Sequence, residues 1–542
     1  MENEEVSLIQ SDFSKLEEME GRFLENERAY KSEYKKGTDG EERRTSKRKP
    51  SDRPRSKLYV PLTKTTVDII HALFKTSFMG IRCPIEIESI GQKSEHDEKL
   101  KNALMVAVRK AWAKPNHRVG LSKAVLSAIS QPIGICSLYH DKLRGEIRTN
   151  YIPPTDLAFD QYARDIFDIE HVSFKYKKSV REIKDLIASG FYTPKKDVSV
   201  FADNEIGSKR VEMKDIYMRF THKETGKCKW RLKTFCNGNL IRTAEFSNSP
   251  FHAGYCLEAL PSISIDKRDN ELQMYGTSVP ELVREIQTEY NIKRNQKIDI
   301  TENQIDPVYM VDKQKGGIAE TDITERKKFI RVEVMPNQKL NELIQPVPTP
   351  GTYGITEEIN MLRSEYEVVT GVNSILTGHT SPSDRRAMGA LQTVNAASSM
   401  RIESMMQTLQ DTMLHGYALH FVQLVWLHTP DEVFIELTED PNIISVIGTK
   451  GKRKALDFDI NVNFGTTIGN ETKIAQLNAL MQTLVQTGRN NPELIDEIVK
   501  KIMVLILGEN ADTEKVQTQQ QEEAREPSLE EKEAAAVAGG GV

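Results

Sequence analysis

YGTSVPELVREIQTEYN (Tyr275–Asn291) and GVNSILTGHTSPSDRRAMGALQTVNAAS (Gly371–Ser398) together decide how this 542-residue chain is organised. In the first stretch Ser278 is a natural N-cap. Pro280 and Glu281 suit a first helical turn, where a missing N–H costs nothing and a carboxylate meets the helix dipole. Val283, Ile286, Tyr290, Arg294, Lys297 and Ile298 then share one stripe, so a long helix is expected to about Asn303, closed by Pro307. In the second stretch Gly371, Gly378 and Pro382 forbid a continuous helix, and 371–387 reads as a loop. From Met388 onward apolar residues step at threes and fours through Leu391, Ile402, Leu409, Tyr417 and Leu424. A single helix of roughly 60 Å is expected there if unkinked, with Gly416 as the expected bend.

Between these stretches, residues 308–350 read as two strands and a turn: VYMV, Gly316-Gly317, FIRVEV and the proline-rich exit PVPTPG. Helix resumes from about Ile355 to Val369 with Glu357, Glu358, Glu365 and Glu367 on it. On the amino-terminal side, helices are expected at Val67–Phe78, Glu98–Ala113 and Leu121–Ile129, then strands IGICSLYH and GEIRTNYIPP. One helix near Val180–Ser189 interrupts the strands HVSFKYK, VEMKDIYMRF and KWRLKTFCNGNLIRTAEF, the last folded at Asn237-Gly238 into a hairpin. After the long helix, VFIEL and DFDINVNF read as strands, and Lys473–Gly488 and Pro492–Leu507 as helices. The tail from Glu509 is low-complexity and expected to be disordered. Residues 1–57 read as a peripheral charged arm, helical at most in its first part, ending in the basic run KRKPSDRPRSK (Lys47–Lys57). That run is either solvated or in contact with nucleic acid. The class is α+β, without an internal repeat.

Composition narrows the function. A net charge of −5 argues against a protein that coats DNA, which needs a broad basic surface to displace counterions. It leaves room for one that encloses DNA without gripping it. Cys83, Cys136, Cys228, Cys236 and Cys256 are odd in number and form no C-x-x-C pair, which argues for reduced, mostly buried thiols rather than a disulfide framework or zinc site. The acidic start MENEEVSLIQ is unlike a signal peptide, and the uncharged stretch Thr412–Pro430 contains three histidines, so a buried helix fits it better than a membrane span. A soluble intracellular subunit is expected. No G-x-x-x-x-G-K-[ST], H-E-x-x-H or G-x-S-x-G occurs. His415 and His420 are five residues apart, off the four-residue spacing that puts two ligands on one helical face. No catalytic, cofactor or metal residues are assigned.

The order helix, small β module, helix, loop, long helix resembles the portal (head-to-tail connector) proteins of tailed, and in particular short-tailed, bacteriophages, over roughly residues 60–505. The resemblance implies an α+β wing at 58–274 and stem helices at 275–305 and 353–370. It places a clip at 306–352, a tunnel loop at 371–387, the long wing helix and wing strands at 388–470 and a modest helical crown at 471–508; the charged arm at 1–57 and the tail at 509–542 flank it. It further implies a non-enzymatic homo-oligomeric ring, a dodecamer by family expectation, at one capsid vertex of the virion. The ring would be assembled in the host cytoplasm, beside the major capsid protein. Double-stranded DNA would pass through it, and the terminase large subunit, then head-completion (adaptor) and tail proteins, would dock on it. No cofactor and no membrane are implied.

Candidate DNA-channel residues are His379, Arg385 and Arg386 in the tunnel loop and Lys293, Arg294 and Lys297 in the stem. Arg385 and Arg386 either meet passing phosphates or pair with acids of a neighbouring subunit or of 353–370, and the stem cations either line the channel or bridge subunits. Lys327, Lys328 and Arg331 in the clip are candidates for partner binding, against a merely solvated hairpin. Two rival readings stand beside this one: a cytosolic enzyme with dispersed catalytic residues, and a helical adaptor binding through 388–428.

Overall fold

A computed structural model of the chain describes residues 2–34, 56–79, 83–89, 95–141, 145–194, 210–257, 274–305, 309–311, 344–346, 351–373, 400–438, Arg453 and 459–462, a few single positions excepted. In chain order the elements are α1 (Glu2–Lys31), α2 (Leu62–Phe74), β1 (Ile85–Ser89), α3 (Glu95–Trp112), α4 (Pro115–Ser130), β2 (Gly134–Asp141), β3 (Glu146–Ile152), β4 (Leu157–Phe159) and β5 (His171–Ser179). They continue with α5 (Val180–Ala188), β6 (Arg210–Thr221), β7 (Cys228–Cys236), β8 (Asn239–Phe246), β9 (Phe251–Gly254), α6 (Val279–Ile305), β10 (Tyr309–Val311), β11 (Ile344–Pro346) and α7 (Tyr353–Thr370). Helix 400–409 (α8), a π-helical turn Gln410–Leu414, α9 (His415–His428), α10 (Asp431–Thr438) and β12 (Asp459–Val462) complete the description. The chain is α+β and divides into two units, 1–71 with 119–420, and 72–118 with 421–542.

In the first unit, β4-β5-β6-β7-β8 form an antiparallel sheet and β3-β2-β9 a second one. Asn237 and Gly238 both have positive φ (48° and 77°), the twist a two-residue hairpin turn needs. Inward residues of both sheets, including Ile135, Val172, Ile216, Leu232 and Phe235, meet in one core with Tyr275. The expectation that 1–57 is peripheral is corrected over its first part: α1 sends Ile9, Phe13, Leu16 and Phe23 into this core. Their spacing of four, three and seven makes a narrow stripe on an otherwise charged helix, so average hydrophobicity hides it. Asp12, 2 % exposed on the same face, accepts from Ser173 Oγ (2.7 Å) and meets His171 Nε2 at 3.2 Å.

The bend expected at Gly416 is replaced by the π-helical turn Gln410–Leu414, while Gly416 itself is in regular helix. The turn faces β9 closely: a Cβ on Gly254 would stand 2.6 Å from Met413 Cβ and 2.8 Å from Thr412 Oγ1. Close backbone approach, not helix propensity, sets the irregularity. Nearby, His420 is a buried partner of His252 (Nδ1 to Nε2, 3.0 Å), and burial pushes its pKa down to about 4. His415 is exposed on another side of the helix.

The second unit joins β1, which the sequence reading does not anticipate, to β12 in an antiparallel pair, so DFDINVNF does contain a strand. VFIEL does not: it lies in α10, where Asp431 and Glu432 favour the first turn. Phe434 is fully buried against Trp426, and Arg453 stacks over its ring at 4.8 Å. Arg453 also donates to the carbonyls of Trp426 and Thr429 at the end of α9 and pairs with Asp431. A short apolar run of this length cannot distinguish a strand from a short helix, and the contacts of Arg453 accompany the helical outcome. Phe421, Trp112, Phe78 and His117 form the unit's aromatic core. α4 starts at Pro115, earlier than expected, with the proline at N1.

All five cysteines are free thiols, with Cys136, Cys236 and Cys256 buried and Cys228 exposed. Among the described residues no helix is long and apolar enough to cross a membrane. FIRVEV, positions 374–387 of the expected loop, positions 388–399 of the expected long helix and the helices expected after 470 lie outside the described residues.

Candidate functional site

The site is built on α6 and α7, which pack antiparallel. Tyr290, Ile359 and Leu362 are buried between them, with Ile286, Ile355, Val60 and Leu62 packed around. Both helices begin and end where local chemistry requires. Ser278 Oγ accepts from Glu281 N–H (3.3 Å) and Glu281 Oε2 accepts from Ser278 N–H (2.9 Å), a reciprocal capping box. α7 ends on Gly371 at φ 73°, whose N–H donates to Glu367 O.

Glu281 does more than cap. Arg22 of α1 donates to it through Nε and Nη2 and also to Gly276 O (2.7 Å), and Asn26 Nδ2 donates at 2.8 Å. One turn on, Arg284 donates to Glu25 (2.9 Å) and Asn26 Oδ1 (2.8 Å). Burial alone would raise the Glu281 pKa; the hydrogen bond and charge of Arg22 outweigh it and hold the carboxyl below its usual range. At His171 burial lowers and Asp12, Asp160 and Glu170 raise, with a net rise.

A second face of α6 carries Gln287, Asn291, Asn295 and Asp299, four residues apart throughout. Against it lies the segment 56–63, extended as far as Pro61 and then entering α2. Ser56 N–H donates to Asp299 Oδ1 (2.8 Å), Leu58 N–H to Asn295 Oδ1 (2.7 Å) and Val60 N–H to Asn291 Oδ1 (3.0 Å). Thr63 N–H donates to Gln287 Oε1 (3.2 Å). The amide nitrogens answer: Asn295 Nδ2 donates to Leu58 O (3.0 Å) and Gln287 Nε2 to Val60 O (2.9 Å). Tyr34, just past α1, closes the end of the ladder, donating to Leu58 O (2.7 Å) and accepting from Asn295 (3.1 Å).

Of the channel candidates, Lys293 pairs with Glu358 of α7 at 2.7 Å, and this bond holds its pKa above the usual lysine value. Arg294 and Lys297 are half-buried on α6, with no ion-pair partner among the described residues. Glu285, Glu289, Glu357 and Glu365 occupy the exposed faces of the two helices. His379, Arg385, Arg386, Lys327, Lys328 and Arg331 lie outside the described residues. The amide ladder is absent from the sequence reading, although its signal is there: four amide or carboxylate side chains at strict four-residue spacing on one helix. Among the described residues no three His, Cys, Asp or Glu side chains converge as metal ligands.

The chain is α+β, and its two long helices pack on one another with a two-stranded β10–β11 ribbon between them in sequence. Residues 129–538 match the family model described as phage SU10 portal protein, and the chain belongs to that family. The family is structural and non-enzymatic, acts at the portal vertex of the virion, and its members assemble as rings that meet capsid and terminase. No curated protein matches the chain.

Proposed function

We propose that this chain closes into a ring, of twelve copies by family resemblance, at one capsid vertex, and that genomic double-stranded DNA is packaged and ejected through its hole. Residues 275–305 and 353–370 are the stem, 306–352 the clip and 371–387 the tunnel loop, with 58–274 and 388–470 as wing and 471–508 as crown. The terminase large subunit docks on the clip around Lys327, Lys328 and Arg331, and head-completion and tail proteins follow it. The observation that carries this reading is the antiparallel α6–α7 hairpin with a β-ribbon at its turn, within a chain of the portal family.

The electrostatics suit passage rather than capture. A ring repeats each side chain around its axis, so one or two cations per subunit make a dense belt, and many would arrest the duplex. The exposed carboxylates of α6 and α7 repel phosphates, and Lys293 is held by Glu358. Arg294 and Lys297, with His379, Arg385 and Arg386 of the loop, remain as the groups that touch DNA.

Replacing Arg385 and Arg386 together by Glu is expected to leave rings intact in electron micrographs. Packaged DNA, measured as nuclease-protected genome, should fall on the order of tenfold, because each subunit changes by four charges in the segment proposed to meet the duplex. Wild-type packaging by the double variant would remove these residues from the channel.

A further inference from the structure

The ladder on α6 is unusual in what it reads. Gln287, Asn291 and Asn295 are at most 4 % exposed and bond mainly to backbone atoms of 56–63; one side chain joins them, Thr63 Oγ1, which donates to Gln287 Oε1 at 3.2 Å. Four helical residues advance about 6 Å and two extended residues about 6.6 Å, so successive alternate N–H groups meet successive rungs. At the last rung the segment turns into α2, and Gln287, one methylene longer than Asn, reaches both Val60 O and Thr63 N–H. The segment's own sequence shows the same phase. Pro61 falls on a position whose N–H the ladder does not use, whereas Ser56, Leu58 and Val60 all donate.

An apolar contact can slide by fractions of an ångström at little cost. A ladder of buried amides cannot, because any offset short of a full rung leaves several buried donors and acceptors unpaired at once. The contact is therefore stiff along the axis of α6. The segment runs antiparallel to that helix, from Asp299 toward Gln287, and continues without a break into α2.

We propose that Gln287, Asn291, Asn295 and Asp299 form a backbone-reading clamp for residues 56–63, and that this clamp positions α6 by locking it against axial displacement. Its consequence for packaging rests on the reading of α6 as a channel wall, since a helix there takes the axial drag of a moving duplex. The clamp itself is measured without DNA, so the two claims fail separately.

The test is amide hydrogen exchange by mass spectrometry on the full chain, with Asn291→Ala/Asn295→Ala and with two variants at Leu58. In the wild type the amides of Leu58, Val60 and Thr63 should exchange slowly. The double alanine variant should raise exchange over 56–63 by roughly tenfold or more. Leu58→Pro, which removes a used donor, should also open the segment; Leu58→Ala, which keeps that donor and trims a side chain 44 % exposed, should not. Equal protection in the wild type and the double alanine variant, or equal opening by Leu58→Pro and Leu58→Ala, would overturn the clamp. Rings of the double alanine variant should form but package less DNA. Undiminished packaging with the segment open would overturn the positioning role, and so would loss of the rings, because a lock on one helix does not build them. Wild-type protein that neither forms rings nor retains DNA would instead contradict the portal reading and leave the exchange result standing.

Discussion

Glu281→Ala is expected to destabilise the chain by about 3 kcal/mol and to release α1 from the body, because it removes one side of a largely buried charge pair and leaves the other uncompensated. The same carboxylate holds Arg22, Asn26 and the N–H of Ser278, so the loss combines an ion pair, an amide bond and a helix cap. The effect should depend on pH in a definite direction. Glu281 is depressed in the folded state, so its contribution is present above its ordinary carboxylate pKa and disappears as pH falls through the lowered value.

His171, on the other anchor of α1, is raised. Its contribution is complete below the ordinary imidazole pKa and disappears as pH rises through the raised value. Docking of α1 should thus be strongest between these two limbs, in the mildly acidic to neutral range. Denaturant melts of wild type and variant at acidic, near-neutral and alkaline pH check this. The gap between the two proteins should shrink in acid. A variant that unfolds with the wild type at every pH would show that Glu281 holds nothing.

Tyr290→Ala is expected to cost about 3 kcal/mol, within the usual range for truncating a buried aromatic. Tyr290 is 8 % exposed and fills the seam between α6 and α7 beside Ile359 and Leu362. What remains across the seam is the smaller contact of Ile286 with Ile355, Ile359 and Leu362, and the Lys293–Glu358 pair, whose partners are 26 % and 52 % exposed and which contributes little. The two helices should separate locally, and if they form the channel wall, ring formation should drop with them. Denaturant unfolding measures the first effect and sedimentation the second. A variant as stable as the wild type would mean that the hairpin is held from elsewhere.

Much of this hairpin is legible in the sequence, and the reasons are local. Ser278, Pro280 and Glu281 announce the start of α6 because capping is a contact within four residues. Gly371 announces the end of α7 because only glycine takes φ 73° there without strain. Asn237-Gly238 is equally self-contained. What escapes the sequence reading depends on distant partners. The buried stripe of α1 is four residues among many charges, and it becomes a core element only because Ile216 of the sheet and Tyr275, just before α6, meet it. VFIEL is helical where Arg453 ties α9 to α10. The ladder of Gln287, Asn291 and Asn295 looks like the solvated face of a helix until the extended segment more than two hundred residues away is laid against it.

The central claim concerns assembly, and the mass of the purified chain tests it most directly. A particle many times heavier than 61.5 kDa, seen in negative stain as an annulus with a hole at its centre, is the predicted result. A stable 61.5 kDa species with no annular form at any protein concentration would contradict it.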